Sequence, residues 1–212
     1  MTCCQRQVIE DRFDRDFVAK KIQQYRQAGL KTETRLLVEA LKSEGVEGLT
    51  LLDIGGGLGA IEHELIKAGV SQALSVEASQ AFIDAAKTEA IRAGVADKMT
   101  FVHGDLVELA PQIPQADIVT LDKVVCCYQD MESLVRASAA KAKKLYGLVY
   151  PRDDWWVKAA IGFENLFENL KGSDWRVYVH PTQEVDRLIR EHGMNLISRH
   201  ALIDWQIVVY GD

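Results

Sequence analysis

The sequence predicts a doubly wound α/β sheet. Three observations carry that expectation: short apolar runs alternate with amphipathic stretches from residue 49 onward, the runs are apolar throughout, and the first of them feeds a glycine-rich turn. Runs separated by helix-length stretches indicate βαβ units and a parallel sheet. A run such as Ala116-Asp117-Ile118-Val119-Thr120-Leu121 suits a strand covered by helices on both faces.

Taken in order, residues 8 to 44 read as helical: Phe13, Phe17, Ile22 and Tyr25 form one stripe broken at Gly29, so one or two helices should pack on or over the sheet edge. LTLLDI opens the sheet, followed by a helix to about Ala68, QALSVE, a helix to about Ala93, KMTFVHGD and ADIVTLD. A helix from near Met131 to Lys144 follows, with Lys141-Ala142-Lys143-Lys144 as its solvated last turn, favourable against the helix dipole; LYGLVY comes next and Pro151 ends it. A second stripe, Trp156, Ala159, Phe163, Leu166, Phe167 and Leu170, runs to Gly172. WRVYV reads as a short strand, Thr182 as the N-cap of a helix closed by Gly193, and residues 194–200 and 201–210 as an antiparallel pair, because the link between them is too short for a helix.

The 212 residues fit one domain, with 48% hydrophobic and 26% charged residues, enough to build a core and too apolar for disorder. Within it we expect a helical cap (1–48), a core (49–150), an insertion on the substrate side (151–180) and a C-terminal helix with a strand pair (181–212). A net charge of −6 argues against a nucleic-acid partner, which needs concentrated Lys and Arg. The N-terminal stretch lacks the basic and apolar regions of a signal peptide and no apolar run is long enough to span a bilayer, so a cytoplasmic protein is expected. The cysteines fall as two adjacent pairs, Cys3-Cys4 and Cys126-Cys127, which is neither a redox nor a zinc spacing, and reduced thiols are expected.

Leu51-Leu52-Asp53-Ile54-Gly55-Gly56-Gly57-Leu58-Gly59-Ala60 sets a strand, a glycine turn and a helix start in succession, opening a crevice at the carboxyl edge of the sheet. Gly55, Gly57 and Ala60 also satisfy the dinucleotide fingerprint, so a nicotinamide or flavin enzyme is a real rival. Asp53 discriminates: a carboxylate at the mouth of the loop opposes a pyrophosphate and favours a ligand bearing an ammonium and a sulfonium, such as S-adenosylmethionine. Glu77 ends the next strand at the spacing of a carboxylate bidentate to ribose hydroxyls, and Asp105 follows the third strand, where it can accept from an exocyclic amine. Each acid taken alone is as readily a helix cap.

With these motifs the sequence resembles the class I S-adenosylmethionine-dependent methyltransferases. LLDIGGGLG matches the first motif, Glu77 the second-strand acid, Asp105 the third and VTLDKVV the fourth, and the paired last segments match that family's antiparallel last strand. The resemblance implies a Rossmann-like, seven-stranded sheet and S-adenosylmethionine as cofactor. It also implies that Asp53, Gly55, Gly56 and Gly57 hold the methionine end, Glu77 with Ala78 the ribose, Asp105 with Leu106 the adenine, and that Asp122 lies near the transferring methyl. More distantly, the order of cap, glycine motif and fourth-strand motif is similar to magnesium-protoporphyrin O-methyltransferases, although Cys126-Cys127 stand where those tend to carry His-Tyr. A D-R-V-x-C-C-Y-P-D stretch of uncharacterised bacterial methyltransferases is nearer, differing at Lys123 and Gln129.

The implied activity is methyl transfer to a small-molecule acceptor. Alignment and exclusion of water supply most of such catalysis, so a general base is not required. His63, expected at the surface, His103, expected as a strand-end contact, and His180, expected to be structural, are the imidazoles to consider, and none is assigned as catalytic. Cys126 and Cys127 read as pocket wall in preference to metal ligands or nucleophiles, so no metal is expected. The Trp155, Trp156, Phe163, Phe167 stripe reads as core before it reads as a lid. A nucleotide-dependent oxidoreductase and a methyltransferase-like domain without turnover are the rivals.

Overall fold

The computed structural model describes residues 3–212, with side chains from Gln7 onward. The expectation of reduced thiols at Cys3 and Cys4 therefore falls on side chains outside those described. The chain runs α1 (Cys3–Arg12), α2 (Arg15–Ala28), α3 (Thr32–Ser43), β1 (Thr50–Ile54), α4 (Ala60–Lys67), β2 (Gln72–Glu77), α5 (Gln80–Ala93) and β3 (Met99–His103). It continues through α6 (Leu106–Leu109), β4 (Ala116–Asp122), α7 (Met131–Ala139), β5 (Ala142–Pro151), α8 (Trp155–Leu170), α9 (Thr182–Arg190), β6 (Asn195–Ala201) and β7 (Trp205–Gly211).

The strands form one seven-stranded sheet in the order β3-β2-β1-β4-β5-β7-β6. β1 to β5 are parallel, and β7 lies antiparallel between β5 and β6. From β1 the chain winds outward through β2 and β3, then returns to place β4 on the other flank of β1. The carboxyl ends of β1 and β4 are thus a topological switch point, where the strand connections diverge and leave a crevice.

Successive strand residues enter opposite faces, as the pleat requires. Leu52, Val119, Tyr146 and Val208 pack with Leu134, Val135, Leu188 and Ile189 of α7 and α9. Leu51, Ile118, Leu145 and Val209 pack with Leu37 and Leu41 of α3 and with Leu65 of α4. Burying each such side chain contributes roughly 1.5–3 kcal/mol, and both faces are covered, which is why the runs lack polar alternation. No helix among the described residues is long and apolar enough to cross a membrane.

Some local expectations are corrected. The N-terminal region is three helices, because Asp14 accepts from Phe17 N at 2.8 Å and starts a new helix immediately after α1. The helix from Met131 ends at Ala139, and Lys143 and Lys144 belong to β5; the Lys141 carbonyl accepts from Ala116 N at 2.9 Å, committing the chain to β4. WRVYV is not a strand. The Asn165 amide pairs with both backbone groups of Val177, and Tyr178 N donates to Cys126 O at 2.7 Å, so no sheet neighbour is needed. Thr182 is the first residue of α9, with Pro181 at the cap; its N–H and hydroxyl both donate to Asp153, which caps the helix from a distance in sequence.

Candidate active site

The loop after β1 is pressed against the sheet edge. Gly55 has φ 65° and donates its N–H to Val76 O, and a Cβ there would lie 2.4 Å from a Val124 methyl. At Gly56 a Cβ would lie 2.5 Å from Ser75 Oγ and 2.6 Å from Glu62 Oε1. Only glycine permits this close approach. All nine residues expected at the cofactor site, Asp53, Gly55, Gly56, Gly57, Glu77, Ala78, Asp105, Leu106 and Asp122, line a single cavity of about 880 Å³.

Asp53, 1% exposed, accepts from Thr120 Oγ1 at 2.6 Å through one oxygen, while the other has no partner. Beside it Glu62, on the first turn of α4, is fully buried against the Asp53 carboxyl and Ser75. Burial, reinforced by the charge of Glu62, pushes the Asp53 carboxyl well above its ordinary value. Two buried acids in mutual contact beside the glycine loop favour a cation there over an anion.

Glu77 accepts from Gly57 N at 3.0 Å and Ser79 N at 2.9 Å, and burial raises its pKa despite those donors. Asp105 uses one oxygen for three donors, Val107 N, Glu108 N and the Tyr128 hydroxyl, leaving its other oxygen for further acceptance. It is therefore both the N-cap of α6 and a cavity acid, so the cap reading and the site reading coexist. Asp122 accepts from Thr34 Oγ1 at 2.6 Å, and its Oδ1 meets only the Lys123 ammonium, at 3.5 Å.

The opposite wall comes from the cap and from α8. Tyr25, Thr34 and Lys21 face the cavity from the N-terminal helices, and Trp156, Val157, Ala160 and Ile161 from α8. The α8 stripe is not core, since Phe163 is 73% exposed and Phe167 54%; only its flank bearing Trp156 and Ala160 meets the cavity. Lys123 adopts a left-handed backbone, φ 62°, which carries its ammonium to 2.9 Å from Glu33 Oε1 and over the Trp205 ring. A non-glycine residue in that region is uncommon, and this one sits where β4 ends.

Cys126 and Cys127 line the cavity, with sulfurs 4.0 Å apart and both thiols donating to the Lys123 carbonyl at 3.3 Å. The hydrogen bond to Cys127 and burial push the Cys126 thiol up, away from a reactive thiolate. Among the described residues no cluster could hold a metal ion.

No imidazole lines the cavity among the described residues. His63, expected at the surface, is instead buried at 1% exposure: α4 turns it under the cap, 3.4 Å from the Tyr25 hydroxyl, and its Nε2 has no partner. Burial lowers its pKa to about 4. His103 ends β3 with Nε2 3.0 Å from Ala78 O, and His180 is held at 2.9 Å from Tyr128 O.

A sheet of this order with an antiparallel β7, a glycine turn after β1 and acids at the ends of β1, β2, β3 and β4 is the architecture of class I S-adenosylmethionine-dependent methyltransferases. The model of the O-methyltransferase domain family matches residues 11–141, and the chain belongs to that family. S-adenosylmethionine is the cofactor of this class, and the site fits it: the Asp53 oxygen that accepts no hydrogen bond, and the strand-end acids that line the cavity with it, suit a ligand whose methionine end is cationic. The magnesium protoporphyrin IX methyltransferase of Synechocystis PCC 6803, solved with SAH, superposes with TM-score 0.75 at 16% identity, covering 98% of this chain and 99% of that one. A ribosomal protein L11 methyltransferase of Aliivibrio salmonicida is 28% identical over 51% of this chain and 36% of its own length. A probable cobalt-precorrin-6B C(15)-methyltransferase of Pyrobaculum aerophilum is 32% identical over 41% of this chain and 45% of its own. The match thus spans less than half the length of these curated relatives.

The sequence pointed to none of Glu62, Glu33 or Thr34 as site residues, because each sits inside an ordinary helical pattern. Lys123 was legible only as a departure from a related motif.

Proposed function

We propose that this chain transfers the methyl group of S-adenosylmethionine to an oxygen of a small-molecule acceptor. One observation carries the reading: the acid-lined glycine crevice and an apolar wall from the cap and α8 enclose the same 880 Å³ cavity. The names of the curated relatives include acceptors as different as a ribosomal protein and a cobalt precorrin, so they do not select a substrate. The net charge of −6 favours a small molecule over a polyanion.

In this reading Asp53 with Gly55, Gly56 and Gly57 receives the methionine end, Glu77 with Ala78 the ribose, and Asp105 with Leu106 the adenine, while Asp122 stands beside the methyl. When bound, the cofactor supplies an electrophilic methyl on a sulfonium. The residues' part is to align the acceptor oxygen and exclude water: Val124, Cys126, Trp156 and Val157 offer apolar walls for this, and no base is required. The buried Asp53 and Glu62 disfavour the pyrophosphate that an oxidoreductase would place at the loop.

Calorimetry tests the cofactor, with binding of S-adenosylmethionine and S-adenosylhomocysteine but not NADH expected; the reverse preference refutes the reading. Labelled-methyl transfer into a metabolite extract tests turnover, and binding without any methylated product would instead support the non-catalytic rival.

A further inference from the structure

The cap side of the cavity carries three lysines, two of which have no carboxylate at ion-pair distance among the described residues. Lys21 of α2, Lys31 of the α2–α3 link and Lys123 after β4 all line it. Lys123 is answered by Glu33 at 2.9 Å and Asp122 at 3.5 Å. Lys21 and Lys31 have no carboxylate at ion-pair distance among the described residues, although Lys31 acts on Glu33 from farther away. Lys21 is half-buried, its ammonium lying 5.0 Å from the centre of the Phe17 ring.

A lysine on a helix is ordinarily a solvated surface charge. Lys21 differs in that it faces a cavity and gives up part of its hydration without gaining an anion. Burial lowers its pKa, and the positive charges of Lys31, Lys123 and Arg12 lower it further. Among the described residues no arginine lines the cavity, so an anion there meets point charges in place of a planar fork.

We propose that the methyl acceptor carries an acidic group, a carboxylate or a phosphate ester, which Lys21 and Lys31 receive while its oxygen nucleophile faces the methyl. The inference rests on the methyltransferase reading above and adds the substrate's chemical class. The strand-end acids and the cap lysines lie on different sides of the cavity, with Glu164 of α8 and Asp204 also on its lining and the Glu33–Lys123–Asp122 chain between. Complementarity of the lysines to an anionic acceptor selects among similar molecules and rejects neutral ones.

The test divides a metabolite extract on an anion-exchange resin and measures labelled-methyl transfer into each fraction. Acceptor activity is expected in the retained fraction. Phosphatase treatment abolishes it if the group is a phosphate ester, and carbodiimide coupling to methylamine abolishes it if the group is a carboxylate. Lys21→Gln should raise the half-saturating amount of that fraction roughly tenfold or more, Lys31→Gln less, and Lys21→Arg should restore most of the loss. S-adenosylhomocysteine affinity should stay within about twofold of the parent in all three. Acceptor activity in the unretained fraction overturns the proposal, as does a parallel fall of S-adenosylhomocysteine affinity in Lys21→Gln, which would assign the lysine to the cofactor's own carboxylate. A parent protein that binds S-adenosylhomocysteine and methylates a neutral acceptor removes this inference alone; one that binds no S-adenosylhomocysteine removes the reading beneath it.

Discussion

The two walls of the cavity are built on different principles. In the proposed reading the wall toward the cofactor is made of strand ends: Asp53, Glu77 and Asp122 stand at the carboxyl termini of β1, β2 and β4, with Asp105 two residues after β3. Their positions follow from the register of a parallel sheet. The wall toward the acceptor is made of helix faces from α2, α3 and α8, held against the sheet by side-chain bonds such as Thr34 to Asp122 and Tyr25 to His63. The first wall is fixed by backbone hydrogen bonding and concentrates negative charge. The second depends on a few polar contacts and presents lysines and aromatics. A fold can therefore keep one ligand constant while the other varies, because the two are held by parts with separate structural supports.

The largest test of that division is at Asp53. Asp53→Asn should weaken S-adenosylmethionine binding by about 2–3 kcal/mol, since an amide cannot ionise in response to the cationic ligand. Without ligand the same change should leave the fold as stable or more so, because it removes a buried acid repelled by Glu62. The sign with pH follows. An acid whose folded pKa is raised contributes destabilisation that grows as pH climbs from about 3.9, its unfolded value, through the folded one. The ligand-free parent should lose stability over that interval more steeply than Asp53→Asn. Equal cofactor affinity of the two proteins by calorimetry would detach Asp53 from the cofactor wall.

His63 offers the next effect, on the other wall. Its folded pKa of about 4 lies below the ordinary 6.5, so the buried neutral ring stabilises the fold above the unfolded pKa. That contribution, up to ~3 kcal/mol, is lost as pH falls through this window. His63→Gln should remove much of the acid sensitivity between pH about 6.5 and 4 while retaining a side-chain partner for Tyr25. Urea unfolding at several pH values measures this, and an unchanged pH slope would show that the cap is not anchored through a neutral His63.

The difference between the walls also decides what the sequence could reveal. Strand, glycine turn and acid recur at short, regular separations, so Asp53, Glu77 and Asp105 could be located by spacing alone, and the antiparallel β6–β7 pair by the brevity of its link. Helix-borne site residues have no such signature. Glu62 and His63 both sit in AIEHELIK, where a polar residue reads as solvated, and only the docking of α4 beneath the cap buries them. The α8 stripe misled in the opposite direction: a helical apolar spacing implies core, yet Trp155, Phe163 and Leu170 are exposed. WRVYV has strand composition, but the Asn165 side chain satisfies Val177, a contact with no local trace.

The smallest predicted effect probes the seam between the walls. Thr34 is buried and donates to Asp122 at 2.6 Å, so the start of α3 is tied to the end of β4 by one charge-assisted hydrogen bond. Thr34→Val keeps the shape and removes the donor, leaving that carboxylate oxygen with less compensation. The expected loss is about 1–2 kcal/mol in urea unfolding of the ligand-free protein. Because Asp122 also meets Lys123, which is held by Glu33 on the same helix, the loss should be partly recovered through that second route. Thr34→Val combined with Glu33→Gln should therefore cost more than the sum of the two single changes, whereas simple additivity would mean that cap and sheet are joined by apolar packing of Leu37 and Leu41 and not by this polar chain.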